Sequence, residues 1–300
     1  MSYYYDEKFN CVQVSSWWSV PQAGVISASR YLRLMMRKPD NSSIVPTDGT
    51  NLSVITKWSR PSTYLYGKSG IILGDSISYG LYSYWSGSDR MNSDGLVPDY
   101  ASVRISDWFA MLTGMTVTNI ARRGTGYVAD SRNLGNAWVK AQATNFADYD
   151  FVGLCFGVND YIQNKPLGTI AGNIEGTVVG NLMRVLKKIY TDNPLAKVVI
   201  FSPYNTWGQV AVNQGASDLY GDESTNYALG YANSSGYTLQ DLVDALDEVA
   251  DYYGVTHEKL NKSNVVNRIN IKDIMIDGLH PSLESMPLLA AEMFAQKDFG

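Results

Sequence analysis

Apolar positions along this chain follow two regimes. Up to about residue 66 they alternate over short stretches. Tyr31 to Lys38 sets Leu32, Leu34 and Met36 on one face against Arg33 and Arg37 on the other, and Asn51 to Trp58 alternates in a similar way. Turn chemistry separates the two stretches, in Lys38-Pro-Asp-Asn-Ser-Ser and Pro46-Thr-Asp-Gly-Thr. This predicts a small β module over residues 1–66. So short a β module is marginal alone, so it is expected to pack on the following domain or to make an oligomer or assembly contact.

From residue 67 to 300 short apolar runs alternate with longer stretches of helical spacing. Strands are predicted at Gly70–Leu73, Thr116–Ile120, Phe151–Gly157, Lys197–Phe201 and, more weakly marked, Gly254–Thr256, with Asn261 to Ile276 an alternative place for the fifth. Helices are predicted over Val103–Met115, Gly172–Thr191, Leu239–Tyr253 and Ser282–Gln296. The second shows Ile174, Val178, Leu182 and Leu186 as one stripe, and Pro287 sets the start of regular helix in the last. Strands alternating with helices argue a parallel sheet covered on both faces. Two long polar insertions, roughly Tyr82 to Asp99 and Tyr204 to Tyr237, break the pattern. Both follow C-terminal strand ends, where binding loops and lids are usual.

Composition narrows the classes. With 45% apolar and 18% charged residues the chain is globular. A net charge of −5 without a Lys/Arg run gives no reason to expect nucleic acid or an anionic membrane surface as partner. No run approaches transmembrane length. Cys11 and Cys155 are far apart and form no metal-binding pattern, and Cys155, inside an apolar run, is expected to be a buried free thiol. The start, Met-Ser-Tyr-Tyr-Tyr-Asp-Glu-Lys, lacks the basic end and apolar stretch of a signal peptide. The 21 tyrosines and 26 glycines imply an uncharged surface rich in hydroxyl, amide and aromatic groups. Such surfaces suit sugars, and also secreted or virion proteins. Those settings are favoured, with a cytoplasmic one left open.

Four stretches carry candidate chemistry. Ser69-Gly-Ile-Ile-Leu-Gly-Asp-Ser-Ile-Ser reads as a buried strand that stops abruptly, leaving Asp75 and Ser76 at its C-terminal end. Ligands bind in that crevice in open α/β sheets. A following helix would offer free N–H groups to an anion, although Gly, Asp and Ser also make ordinary turns. In Asn119-Ile-Ala-Arg-Arg-Gly-Thr-Gly-Tyr, Gly124 or Gly126 could present a bare backbone N–H. Gly124 to Ala129 also fits a dinucleotide fingerprint, but on the second βα turn and without the acidic residue that should follow, so no cofactor is expected. Phe156-Gly157-Val158-Asn159-Asp160 places an amide donor, Asn159, at the same rim. In Asp277-Gly278-Leu279-His280-Pro281, Asp277 stands three residues before His280, where a tight turn lets its carboxylate orient the imidazole as a base for a serine. His257, the other histidine, reads as a surface or structural residue.

Gly74-Asp75-Ser76, Gly124, Gly157-x-Asn159-Asp160 and Asp277-x-x-His280-Pro281, in that order, resemble the SGNH (GDSL-type) hydrolases over about residues 67–297. The resemblance implies a flavodoxin-like three-layer α/β/α sandwich with a five-stranded parallel sheet. It implies a nucleophile at Ser76, a base at His280 oriented by Asp277, and an oxyanion hole from Ser76 N–H, Gly124 N–H and the Asn159 side chain. Neither metal nor cofactor is implied. The first block reads Gly-Asp-Ser-Ile in place of Gly-Asp-Ser-Leu, and Gly126 competes with Gly124 as donor. The expected activity is serine ester hydrolysis, on short acyl esters borne by a sugar or polysaccharide. The alternatives are a general short-chain lipolytic esterase or thioesterase, and a non-catalytic glycan-binding or structural virion module. Phrases within residues 1–66, such as Tyr-Leu-Arg-Leu, resemble phage tail or prophage modules.

Overall fold

A computed structural model of the chain describes residues 2–5, 11–15, 31–33, 65–80, 104–206, 232–263, 265–267, 270–275, 278–281 and 285–295. The chain divides into two compact units, residues 1–59 and 60–300. In the first, strands β1 (Ser2–Tyr5), β2 (Cys11–Ser15) and β3 (Tyr31–Arg33) form an antiparallel sheet in the order β2-β1-β3. β3 falls within the predicted Tyr31–Lys38 stretch; β2 alternates Val12 and Val14 with Gln13 and Ser15, while the tyrosine run of β1 shows no alternation. The Asn51–Trp58 stretch lies outside the described residues.

The second unit holds a parallel five-stranded sheet. In chain order come β4 (Ser69–Gly74), α1 (Ser76–Tyr79), α2 (Ile105–Thr113), β5 (Thr116–Asn119), α3 (Ala137–Gln142), β6 (Phe151–Cys155), α4 (Val158–Ile162) and α5 (Val178–Asp192). They are followed by β7 (Lys197–Phe201), α6 (Leu239–Tyr253), β8 (Thr256–Glu258), α7 (Ile271–Ile274) and α8 (Met286–Ala295). The strand order is β5-β4-β6-β7-β8, every neighbouring pair parallel. That is the flavodoxin-like 2-1-3-4-5 order, whose switch point lies between its first and third strands, here β4 and β6.

The local sequence explains these elements. Ile71, Ile72 and Leu73 of β4 and Val198 to Phe201 of β7 are buried, as a sheet covered on both faces requires. Helix α6 begins in a capping box, Thr238 accepting from Asp241 N–H while the Asp241 carboxylate accepts from Thr238 N–H, and ends at Gly254 with φ 67°. The predicted stripe on α5 is corrected at one end. Gly176, with φ 83°, and the capping hydroxyl of Thr177 start the helix at Val178, so Ile174 lies before it and is 60% exposed. The fifth strand forms at Thr256–Glu258, past the Gly254 cap, and the alternative stretch holds α7 instead. Cys155 is a free thiol but only partly buried, at the end of β6 where side chains approach the rim. Among the described residues no helix is long and apolar enough to cross a membrane.

Candidate active site

β4 ends at Gly74, and the chain turns at Asp75 straight into α1. A side chain at Gly74 would meet the Cys155 carbonyl oxygen at 2.8 Å, so only glycine lets β4 and β6 approach this closely here. Asp75 Oδ1 accepts from Ile77 N–H at 2.9 Å and caps the single turn of α1, which Gly80 closes with φ 91°. Ser76 is therefore the first helical residue, 4% exposed, at the C-terminal end of the sheet beside the switch point.

His280 reaches it from the far end of the sequence. Its Nε2 lies 2.8 Å from Ser76 Oγ. The segment bearing it is held by a bridge between Met275 and Pro281 and by burial of Leu279. Asp277 lies outside the described residues. His257 is elsewhere engaged, on β8, with Nδ1 2.9 Å from Asp247 Oδ1.

The loop after β5 wraps around the Ser76 turn and is pinned to it repeatedly. Asn119 Nδ2 donates to Ser78 O at 2.8 Å, and Arg122 N–H donates to Gly74 O at 2.9 Å. Thr125 Oγ1 lies 3.1 Å from Gly74 O and 2.7 Å from Arg122 O, sharing its proton between them. The amide of Asn159, on α4, donates to Thr125 O at 3.0 Å. Three of the sequence blocks thus meet around one turn. Among the described residues, the N–H groups of Ser76 and Gly124 have no acceptor.

The two candidate glycines separate. Gly126 N–H donates to Ala129 O at 2.8 Å, and a Cβ there would stand 2.2 Å from Asp160 Oδ2. Gly126 is small so that backbone can approach a carboxylate. Gly124 has φ 72°, so its left-handed conformation also favours glycine, while its N–H stays uncommitted.

Asp160 is the residue whose role the sequence hid. It is fully buried and accepts from three successive backbone donors, Tyr127, Val128 and Ala129, each at 2.8 Å. The concave turn that resembles a phosphate-binding loop is thus filled by the chain's own carboxylate. Burial nevertheless outweighs those donors and raises the Asp160 carboxyl above the ordinary range. Burial likewise pushes Asp75 up to about 7, against the Ile77 N–H and the nearby His280 charge, which favour the carboxylate. A cavity of about 30 Å³ lies against Asp75, Cys155, Ser202 and Tyr204. Among the described residues no three His, Cys, Asp or Glu side chains gather as a metal site.

Residues 72–286 match the sequence model of the GDSL-like Lipase/Acylhydrolase family. No curated protein matches the chain. Among solved structures, a protein from Lactobacillus plantarum is 23% identical with a TM-score of 0.57, aligned over 77% of this chain and 96% of its own. A carbohydrate acetylesterase from Sinorhizobium meliloti is 18% identical with a TM-score of 0.51, over 75% of this chain and 96% of its own. An aryl esterase from M. smegmatis is 15% identical with a TM-score of 0.52, over 77% and 98%. At these identities the likeness is one of fold.

Proposed function

The chain belongs to the GDSL-like lipase/acylhydrolase family and is an ester hydrolase; from that premise we propose that Ser76 is its nucleophile and a short acyl ester on a carbohydrate its substrate. The observation that carries the assignment is the 2.8 Å approach of His280 Nε2 to Ser76 Oγ. At that distance the imidazole takes the hydroxyl proton as Oγ attacks the acyl carbonyl. The role proposed for Asp277, three residues earlier and outside the described residues, is to orient the imidazole through its other nitrogen, as the resemblance implies. The developing oxyanion sits among Ser76 N–H, Gly124 N–H and the Asn159 amide, donors that are already oriented when charge appears. The tether from Asn159 Nδ2 to Thr125 O uses one of the amide's two protons and leaves the other for substrate. His280 then protonates the leaving alcohol, and water repeats the cycle on the acyl-enzyme.

The substrate reading rests on the composition of the two insertions, most of whose residues lie outside the described ones. The two insertions that follow strand ends are polar and rich in tyrosine, asparagine, serine and glycine, which suits a sugar scaffold better than a long acyl chain. The fold does not choose between them, since it serves a carbohydrate acetylesterase and an aryl esterase alike. The test is hydrolysis of p-nitrophenyl acetate, butyrate and octanoate and of a peracetylated sugar by wild type and Ser76→Ala. The proposal expects serine-dependent turnover, fastest on acetyl groups. A preference for octanoate would overturn the carbohydrate reading in favour of a lipolytic esterase. Sugar binding that survives Ser76→Ala, with no turnover of any ester, would instead point to a binding module.

A further inference from the structure

The chain is acidic overall, yet the edge of the nucleophile turn is basic. Tyr79, one helical turn after Ser76, has the Arg104 guanidinium 5.3 Å and the Arg122 guanidinium 5.7 Å from its ring centroid. Arg122 is exposed and stands two residues before Gly124, with its backbone fixed to Gly74 O. Two like charges gathered on one ring repel unless something offsets them. Arg104 has the Asp107 carboxylate nearby, at the start of its own helix. Arg122 has no such partner among the described residues. Its Nη1 donates to the carbonyl of the adjacent Ala121 at 2.8 Å, and among the described residues no carboxylate forms an ion pair with it. Burial is the main cause that disfavours the Lys140 charge; the Asp130 carboxylate favours it, and Arg122 is close enough to oppose it in turn. The carboxylates of Asp75 and Asp160 are buried and engaged with backbone N–H groups.

We propose that Arg122 is a specificity-determining residue that receives a carboxylate on the alcohol side of the ester, so that the preferred substrates are acyl esters of carboxylate-bearing scaffolds. The inference rests on the esterase reading for the position of the acyl group. The guanidinium is a planar fork of donors, and with one of them committed to Ala121 O the others remain for a two-oxygen acceptor. The placement matters as much as the charge. Arg122 belongs to the loop that presents Gly124, so a substrate carboxylate held there is tied to the same backbone that would bind the oxyanion. The pinning bonds at Asn119, Arg122 and Thr125 keep that loop fixed to the Ser76 turn.

The test uses 4-acetoxybenzoate and its methyl ester, which differ in the one charge. Binding of each to Ser76→Ala protein reads recognition without turnover. The acid should bind about tenfold more tightly than the methyl ester, a preference that shrinks as salt is raised. Arg122→Gln in the same background should bring the ratio near one, and Arg122→Lys should keep part of it. Equal binding of the two compounds, or a preference that survives Arg122→Gln in protein of unchanged circular dichroism, would overturn the proposal. Release of acetate from the methyl ester by wild type reads the esterase assignment separately. Its absence alongside an intact binding preference would sink that assignment and leave the carboxylate site standing.

Discussion

Nε2 of His280 lies 2.8 Å from Oγ of Ser76, although 204 positions separate the two residues in sequence. The sheet produces this meeting. β4 delivers the serine to its C-terminal end at the switch point, and the Met275–Pro281 bridge fixes the segment that carries the imidazole. A serine with an imidazole at that distance is poised for proton transfer in either direction, as an acyl-enzyme cycle requires.

Asn159→Ala removes one of three proposed oxyanion donors. The expected loss is roughly 10²–10³ in kcat with a much smaller change in KM, because the donor acts on charge that develops in the transition state. Steady-state kinetics on p-nitrophenyl acetate checks it. A rise in KM at unchanged kcat would place Asn159 in ground-state binding instead.

Gly124→Ala and Gly126→Ala should fail differently. At Gly126 the new methyl group meets a buried carboxylate held by three backbone donors, so the protein should lose folding stability outright. At Gly124 the obstacle is the Ser131 hydroxyl, which can rotate away, plus a left-handed conformation that costs about 1–2 kcal/mol for alanine. Gly124→Ala should therefore fold and turn over slowly. Urea unfolding of both variants separates these outcomes. Equal destabilisation would contradict the distinction.

Asp160→Ala leaves three buried N–H groups without an acceptor. At about 1–3 kcal/mol for each donor left unpaired, the urea midpoint should fall steeply. Activity should fall with it, because the released turn carries Gly124 and Thr125. A variant of unchanged midpoint would show that water replaces the carboxylate at no cost.

Asp75 should make stability depend on pH. Burial raises its pKa to about 7 in the folded protein, whereas the unfolded chain has the ordinary 3.8. Between those values the folded state holds the extra proton, so this group's contribution to stability falls as pH rises from about 4 to 7 and is level above that. Asparagine keeps the oxygen that caps Ile77 and cannot ionise. Asp75→Asn should thus match wild type near pH 4 and become progressively more stable than it up to pH 7. Denaturant titrations at pH 4, 5.5, 7 and 8 check this. A difference that does not vary with pH would contradict it.

Much of this architecture is legible along the chain. The apolar run Lys197–Phe201 and the amphipathic stretch Leu239–Tyr253 form the predicted strand and helix residue for residue, because burial pattern and caps agree there. The boundary of α5 was hidden for the opposite reason. Ile174 keeps the apolar spacing, but Gly176 and the Thr177 cap override it. The blocks that carry Ser76, Gly124 and Asn159 were readable because each follows the C-terminal end of a strand, and the meeting of His280 with Ser76 was readable from residue type and order; their catalytic roles belong to the proposal. The role of Asp160 was not readable. Its partners are three backbone N–H groups more than thirty residues away, and a backbone donor leaves no mark in side-chain identity. The same holds for Thr125, whose hydroxyl and carbonyl join β4 to α4.

The most direct test of the central claim is to trap the nucleophile. Wild-type protein incubated with a phosphonofluoridate, digested and read by mass spectrometry, should carry one adduct, on Ser76. His280→Ala should take up the label orders of magnitude more slowly. An adduct on another residue, or ester hydrolysis that persists at the wild-type rate in Ser76→Ala, would contradict the account.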